Sequence, residues 1–190
     1  MAEQPAPGRR PASTATAEIA GAEQMRALGA RLAALLGPGD LVVLDGPLGA
    51  GKTTLVQGIG AGLGVRGPVT SPTFVIARVH PSLRGGPDLV HADAYRLGSR
   101  IEVDDLDLDA DLDHSVTVVE WGEGLVEDLA AAHLAVVIGC PAAQAGPPGG
   151  TWSEGGAGGG DQPRNVTLTG HGDRWAQAAG RLAAAVSGPG

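Results

Sequence analysis

This sequence predicts an α/β fold, on three observations. A short apolar run at residues 41–44 leads into a glycine-rich loop and then a helical stretch, so strand, turn and helix follow one another without a linker. Runs rich in β-branched residues, among them SVTVVE and HLAVVIGC, recur between polar or helical stretches. An Ala-rich helical pattern over residues 175–186 closes the chain. With 190 residues, of which 43% are hydrophobic and 18% charged, the chain can bury one core, and a single domain is expected.

Each element has its own signal. Residues 1–17 are rich in Pro, Ala, Ser and Thr without apolar periodicity and are expected to form a disordered tail, leaving 18–187 as the domain. Over residues 22–36, Met25, Leu28, Leu32, Leu35 and Leu36 recur at helical spacing, and Gly37-Pro38-Gly39 stops the helix. The apolar run at 41–44 reads as a buried strand. A helix over 53–63 follows the glycine-rich loop and is ended by Gly64. VTSPTFVIARVH and LVHADAYRL, separated by the turn-like PSLRGGPD, read as a hairpin. Residues 100–112 are acidic, a short helix and loop; SVTVVE is a strand that ends at Glu120, and HLAVVIGC is a further buried strand. Residues 142–163 are low-complexity and predict a flexible loop, which joins two strand candidates and so forms a hairpin loop outside the core. RNVTLTG resumes the sheet before the closing helix.

Composition narrows the function. Thirteen Lys plus Arg against 21 Asp plus Glu give a net charge of -8, which argues against a freestanding nucleic-acid binder that gains its affinity by neutralising phosphates. The single cysteine, Cys140, excludes an intramolecular disulfide framework and multi-cysteine metal sites, and reads as a small buried residue at a strand end. No run approaches the roughly 20 apolar residues of a membrane span, and MAEQPAPGRRPASTATAE lacks the apolar core of a secretory signal. A cytoplasmic protein with no membrane contact is expected.

The chemistry centres on residues 46–53. GPLGAGKT satisfies G-x-x-x-x-G-K-[ST] between a buried strand and a helix, the context in which backbone N–H groups and a helix N-terminus cradle phosphate oxygens. Thirty-two glycines raise the chance of glycine patterns, but not of placing the only lysine there. Lys52 is the one Lys among thirteen basic side chains, which suggests a position where a compact ammonium fits and a guanidinium fork does not. Lys52 would reach the β and γ phosphates, and the Thr53 hydroxyl would ligate Mg²⁺. Such an ion prefers a carboxylate at the end of a neighbouring strand, and Asp93 and Glu120 both qualify. Asp104, Asp105, Asp107, Asp109, Asp111 and Asp113 form a rival cluster, but their alternation with Leu fits a solvated acidic face. His91, at a strand entry, reads as a packing or hydrogen-bonding residue rather than a proton carrier. Trp121 suits either the nucleotide site or the core.

LDGPLGAGKTTLVQGIGAGLGV, SPTF at 71–74, HADAYRL at 91–97 and VVEWGE at 118–123, in this order and at these intervals, resemble the TsaE family. These are small bacterial P-loop ATPases needed to make threonylcarbamoyladenosine on tRNA, and the likeness runs from about residue 22 to 186. The resemblance implies a P-loop NTPase-like, three-layer fold with a mixed β-sheet flanked by helices, and Mg²⁺-dependent ATP hydrolysis. It also implies action with TsaD and TsaB homologues, TsaD transferring the threonylcarbamoyl group to the adenosine beside the anticodon, so that tRNA is met only through these partners. By motif position, Gly49, Ala50, Gly51, Lys52, Thr53 and Thr54 bind the ATP phosphates, and Thr53 and Glu120 hold Mg²⁺. Lys52, Asp93 and Glu120 are the catalytic residues, Asp93 being the acid of HxDxYR; residues 71–74 form a switch-like loop near the γ-phosphate, and Trp121 lies beside the site. Arg164 aligns loosely with a basic residue that approaches the nucleotide. Met25 stands where the family's nucleotide-proximal Thr is expected, and the glycine-rich insertion, longer than the family needs, suggests a lineage-specific loop.

Two other functions compete. A small-molecule P-loop kinase would need a lid with several arginines and an acceptor pocket, and Arg84, Arg96 and Arg100 are too scattered to make that lid. A nucleotide-gated binding module without useful turnover carries the same loop.

Overall fold

The computed structural model describes residues 11–72, 76–97, 112–139 and 163–187. Thr73 and Phe74 of the expected switch-like loop, the acidic residues 100–111, Cys140 and residues 142–162 of the expected flexible loop lie outside the described residues. In chain order the elements are β1 (Pro11–Ile19), α1 (Ala22–Ala33), β2 (Leu41–Asp45), α2 (Lys52–Leu63), β3 (Ala77–His80), β4 (Asp88–Asp93), β5 (Ser115–Glu120), β6 (His133–Gly139), β7 (Arg164–His171), α3 (Asp173–Gln177) and α4 (Ala179–Ser187), with 3₁₀ turns at Leu112–His114 and Glu127–Leu129.

The strands form one mixed sheet in the order β1-β7-β6-β2-β5-β4-β3. Its centre is parallel: β2 pairs with β5 and β6, and β4 pairs with β5. Its flanks are antiparallel, through β3 with β4, β7 with β6 and β1 with β7. Strands covered on both faces should read as near-continuous apolar runs, and LVVL of β2 does; β5 is wholly buried although Ser115, Thr117 and Glu120 interrupt its valines. Alternation sends Val42, Leu44, Val116 and Val118 to the face that packs on Leu28, Leu55, Ile59, Trp175 and Leu182 of the four helices. Leu41, Val43 and Val119 face the other way, under Ala94 and Val126. The result is an α/β sheet flanked by helices. Helices α1 and α2 approach glycine to glycine, since a Cβ on Gly29 would run into the Leu55 carbonyl and one on Gly58 into that of Arg26.

Three expectations change. Residues 11–17 are not a disordered tail: β1 pairs with β7 from Pro11 opposite His171 to Ile19 opposite Arg164, so the ordered domain starts before residue 18. The sequence hides this strand because its inward positions are Ser13, Ala15 and Ala17, too small to give an apolar alternation. The closing helix is two pieces, broken at Ala178. The strand within LVHADAYRL ends at Asp93, and Tyr95 begins a turn. The two hairpins, β3–β4 and β6–β7, are antiparallel pairs as expected. Among the described residues no helix is long and apolar enough to cross a membrane.

Candidate active site

The loop between β2 and α2 is held by its own backbone. The Ala50 N–H donates to the Pro47 carbonyl at 3.1 Å, and the Leu55 N–H donates to the Gly51 carbonyl at 2.9 Å. Gly51 passes the chain into α2 at φ +108, a conformation that side chains resist. Behind Gly51 sits Met25 of α1, 2% exposed, whose Cε would lie 3.4 Å from a Cβ at that glycine. Met25 is thus placed behind the glycine-rich loop, where its thioether fills the gap between helix and glycine. Leu48, at the loop tip, is 91% exposed.

Lys52, the first residue of α2, folds back over the loop. Its Nζ donates to the Gly46 carbonyl at 2.6 Å and the Pro47 carbonyl at 3.1 Å, and sits 3.6 Å from the centroid of the Trp121 ring. Burial lowers its pKa, and the charges of Glu120, Asp45 and Asp93 oppose that shift. Lys52 therefore stands among three acids at the carboxyl edge of the sheet.

Register sets the acids. Asp93 ends β4 directly opposite Glu120, and Glu120 ends β5 opposite Leu44 of β2, so both carboxylates reach the edge from which the loop departs. Glu120 Oε1 accepts the Thr53 hydroxyl at 2.8 Å and lies 2.9 Å from His91 Nε2. Asp93 Oδ1 accepts the Tyr95 N–H at 3.0 Å. Immediately after Glu120, Trp121 takes φ +60, a left-handed conformation uncommon for a bulky residue, while its N–H donates to the Leu44 carbonyl at 2.8 Å. This turn brings the indole beside Lys52 and against Tyr95, with ring centroids 5.2 Å apart.

The fold thus gathers Lys52, Thr53, Asp93, Glu120 and Trp121 around the loop that carries Gly49, Ala50, Gly51 and Thr54. Trp121 is half-buried beside Lys52 and not in the core. Arg164 begins β7 at the same edge of the sheet, beyond β6. Asp113 of the rival acidic cluster sits in the 3₁₀ turn before β5, at the opposite edge. Asp45 and the reach of His91 to Glu120 are additions of the structure, while Tyr95, part of the HADAYRL element, acquires its contact with Trp121. The signal for His91 was there: alternation along HAD puts it on the same face of β4 as Asp93.

The residues fit a divalent cation. The Thr53 hydroxyl and the Glu120 carboxylate are hard oxygen donors already in contact. Among the described residues no three His, Cys, Asp or Glu form a metal cluster, so such an ion would draw its other ligands from phosphates and water. On the other face of the sheet lies an open cavity of about 220 Å³, lined in part by Asp45, Glu123, Glu127, His133 and His171. Burial raises the pKa of Glu123, and the charge and hydrogen bond of Asp45 and the charge of Glu127 add to the shift.

Known proteins resemble this chain in sequence and in fold. The sequence model of the family described as "Threonylcarbamoyl adenosine biosynthesis protein TsaE" matches residues 19–144. The tRNA threonylcarbamoyladenosine biosynthesis protein TsaE of Streptomyces coelicolor is 57% identical over 155 residues, 81% of this chain and 95% of that protein. Its namesake in Mycobacterium bovis is 52% identical over 128 residues, 64% of this chain and 76% of that protein. The Bacillus subtilis protein of the same name is 39% identical over 117 residues, 61% of this chain and 72% of its own. The crystal structure of Bacillus subtilis YdiB matches at a TM-score of 0.66 and 28% identity, over 90% of this chain and 95% of that one.

Proposed function

Because the chain belongs to the TsaE family, whose name ties it to threonylcarbamoyladenosine biosynthesis, we propose that it is a Mg²⁺-dependent ATPase that serves tRNA modification with TsaD and TsaB homologues. The observation that carries this reading is the contact between Thr53 of the phosphate loop and Glu120, 2.8 Å apart beneath the only lysine of the chain. An anion loop, a cation and a metal-ligand pair meet at one edge, as ATP with its metal ion requires.

In this reading each residue has a task. The N–H groups of residues 49–54 and the N-terminus of α2 bind the phosphates. Lys52 exchanges the Gly46 and Pro47 carbonyls for phosphate oxygens, a stronger charge-assisted contact. Thr53 and Glu120 would hold Mg²⁺, which when bound supplies positive charge against the phosphate oxygens. Asp93, opposite Glu120, orients the attacking water, and Trp121 packs beside the nucleotide. With a net charge of -8 the chain meets tRNA through its partners, in the cytoplasm.

Phosphate release from ATP, measured with and without the TsaD and TsaB pair, tests the proposal. Release that depends on Mg²⁺ and rises with the partners is expected. Transfer of phosphate to a small acceptor, or binding of ATP with no release in either condition, would overturn it.

A further inference from the structure

Glu120 does not stand alone against Thr53. His91 is fully buried in β4, and its Nε2 lies 2.9 Å from Glu120 Oε1, the same oxygen that accepts the Thr53 hydroxyl at 2.8 Å. The parallel ladder places His91 beside Val118 and Asp93 beside Glu120, so the imidazole reaches forward by one inward-facing position to the carboxylate. The other ring nitrogen, Nδ1, is buried with no partner among the described residues. The tautomer with its hydrogen on Nε2 therefore leaves a lone pair, not an N–H, facing the core. An apolar residue would fill that position without burying an unpartnered nitrogen, so packing does not account for a histidine there.

We propose that His91 is a positioning residue for the metal site: its Nε2–H pins Glu120 Oε1, so that the carboxylate is already held on the Thr53 hydroxyl before a divalent cation arrives. This inference rests on the reading of the loop as a Mg²⁺–ATP site. The geometry is that of an outer-shell donor, which fixes the orientation of a liganding group and does not itself touch the ion. Two strands of a buried parallel sheet carry the pair, so their separation is set by the backbone ladder and not by a loop.

The test uses the full chain and a fluorescent ATP analogue, titrated with Mg²⁺ and separately in EDTA. His91→Leu keeps apolar volume and removes the donor; it is expected to raise the Mg²⁺ concentration for half-maximal analogue binding about 10- to 100-fold. Affinity in EDTA should stay within about twofold of the wild type, because the phosphate loop is untouched. His91→Gln, whose amide can carry an N–H to the position of Nε2, should restore the Mg²⁺ dependence to within about threefold, whereas the shorter His91→Asn should not. The Gln and Asn pair decides the matter even if the Leu variant fails to fold. An unchanged Mg²⁺ dependence in His91→Leu, an equal loss in EDTA, or a Gln variant as impaired as the Asn variant would overturn the proposal while leaving the nucleotide reading intact. A wild-type chain that takes up the analogue in neither condition would overturn the nucleotide reading and this inference with it.

Discussion

The two flanks of β2 differ in what they bury. On the β5 and β4 side, the strands end in Glu120 and Asp93, 3% and 7% exposed, with His91 wholly enclosed behind them. On the β6 and β7 side, the pairing runs through Val136, Ile138, Val166 and Leu168, all fully buried, and a Cβ on Gly46 would strike the Ile138 carbonyl. Ionisable groups in a sheet interior cost stability unless they are paired. In the proposed reading the first flank accepts that cost for chemistry; the other buries one ionisable ring, His133, stacked on His171, and is otherwise an apolar wall that shapes the glycine-rich loop by packing. The contrast predicts that substitutions on the first flank change activity at constant stability and those on the second do the reverse.

Lys52→Ala carries the largest expected effect on activity, a loss of roughly 10³-fold in phosphate release with much weaker ATP binding, because a charge-assisted contact to phosphate is removed. Since burial already opposes its charge, its loss should leave the melting temperature near that of the wild type. Lys52→Arg is expected to do little better, because the ammonium fits between two loop carbonyls and the Trp121 ring where a planar fork is too wide. Retained hydrolysis in Lys52→Ala would remove the distinction between the flanks.

The next effect divides the two acids. Glu120→Ala should raise the Mg²⁺ requirement about 10- to 100-fold with turnover recovered at high Mg²⁺, because Glu120 is in contact with Thr53. Asp93→Ala should lower turnover at every Mg²⁺ concentration, because in the proposed reading it orients the attacking water, its Oδ1 accepting the Tyr95 N–H in the turn after β4. Mg²⁺ titrations of both variants check this, and metal rescue of Asp93→Ala alone would reverse the assignment. On the opposite flank, Leu168→Ala should cost about 2–5 kcal/mol in denaturant unfolding by opening a cavity in the core. Its phosphate release per folded molecule should remain within about twofold of wild type. A tenfold loss there would mean that the wall participates in the chemistry.

Legibility in the sequence follows the same division. The strand, loop and helix around Lys52 could be read because strand burial, glycine spacing and the lone lysine are local signals. Glu120 and Asp93 could be proposed from their places at strand ends, but only the parallel register puts them opposite one another. β1 is not legible, because a strand built on Ser13, Ala15 and Ala17 takes its order from eight paired positions on β7 rather than from apolar area. At His91 the sequence signals a packing or hydrogen-bonding role, and the partner, 29 positions away, is supplied by the sheet. The place of Met25 behind Gly51 is likewise a product of helix packing that no periodicity encodes.

The smallest effect sharpens the comparison at Asp45, which ends β2 and lines the cavity on the other face of the sheet. Burial there raises the pKa of Glu123, and the Asp45 charge and hydrogen bond, with the Glu127 charge, add to the rise. A carboxyl whose folded pKa lies above its unfolded value favours the folded state while both states are protonated. That contribution is lost as pH rises from the ordinary carboxylate value through the folded one. At neutral pH an ionised Glu123 therefore opposes folding slightly, and Glu123→Gln should melt higher than the wild type by about 1–2 °C, a small gain because the side chain is largely exposed and screened. The difference should shrink as pH falls below the usual carboxylate range, and phosphate release should be unchanged, since Glu123 is outside the Thr53, Glu120 and His91 network. Thermal melts of both proteins from pH 3.5 to 8 decide it: a gap that widens toward acid would mean that Glu123 is stabilised as a carboxylate, and a loss of hydrolysis would extend the chemical flank across β2 to its other face.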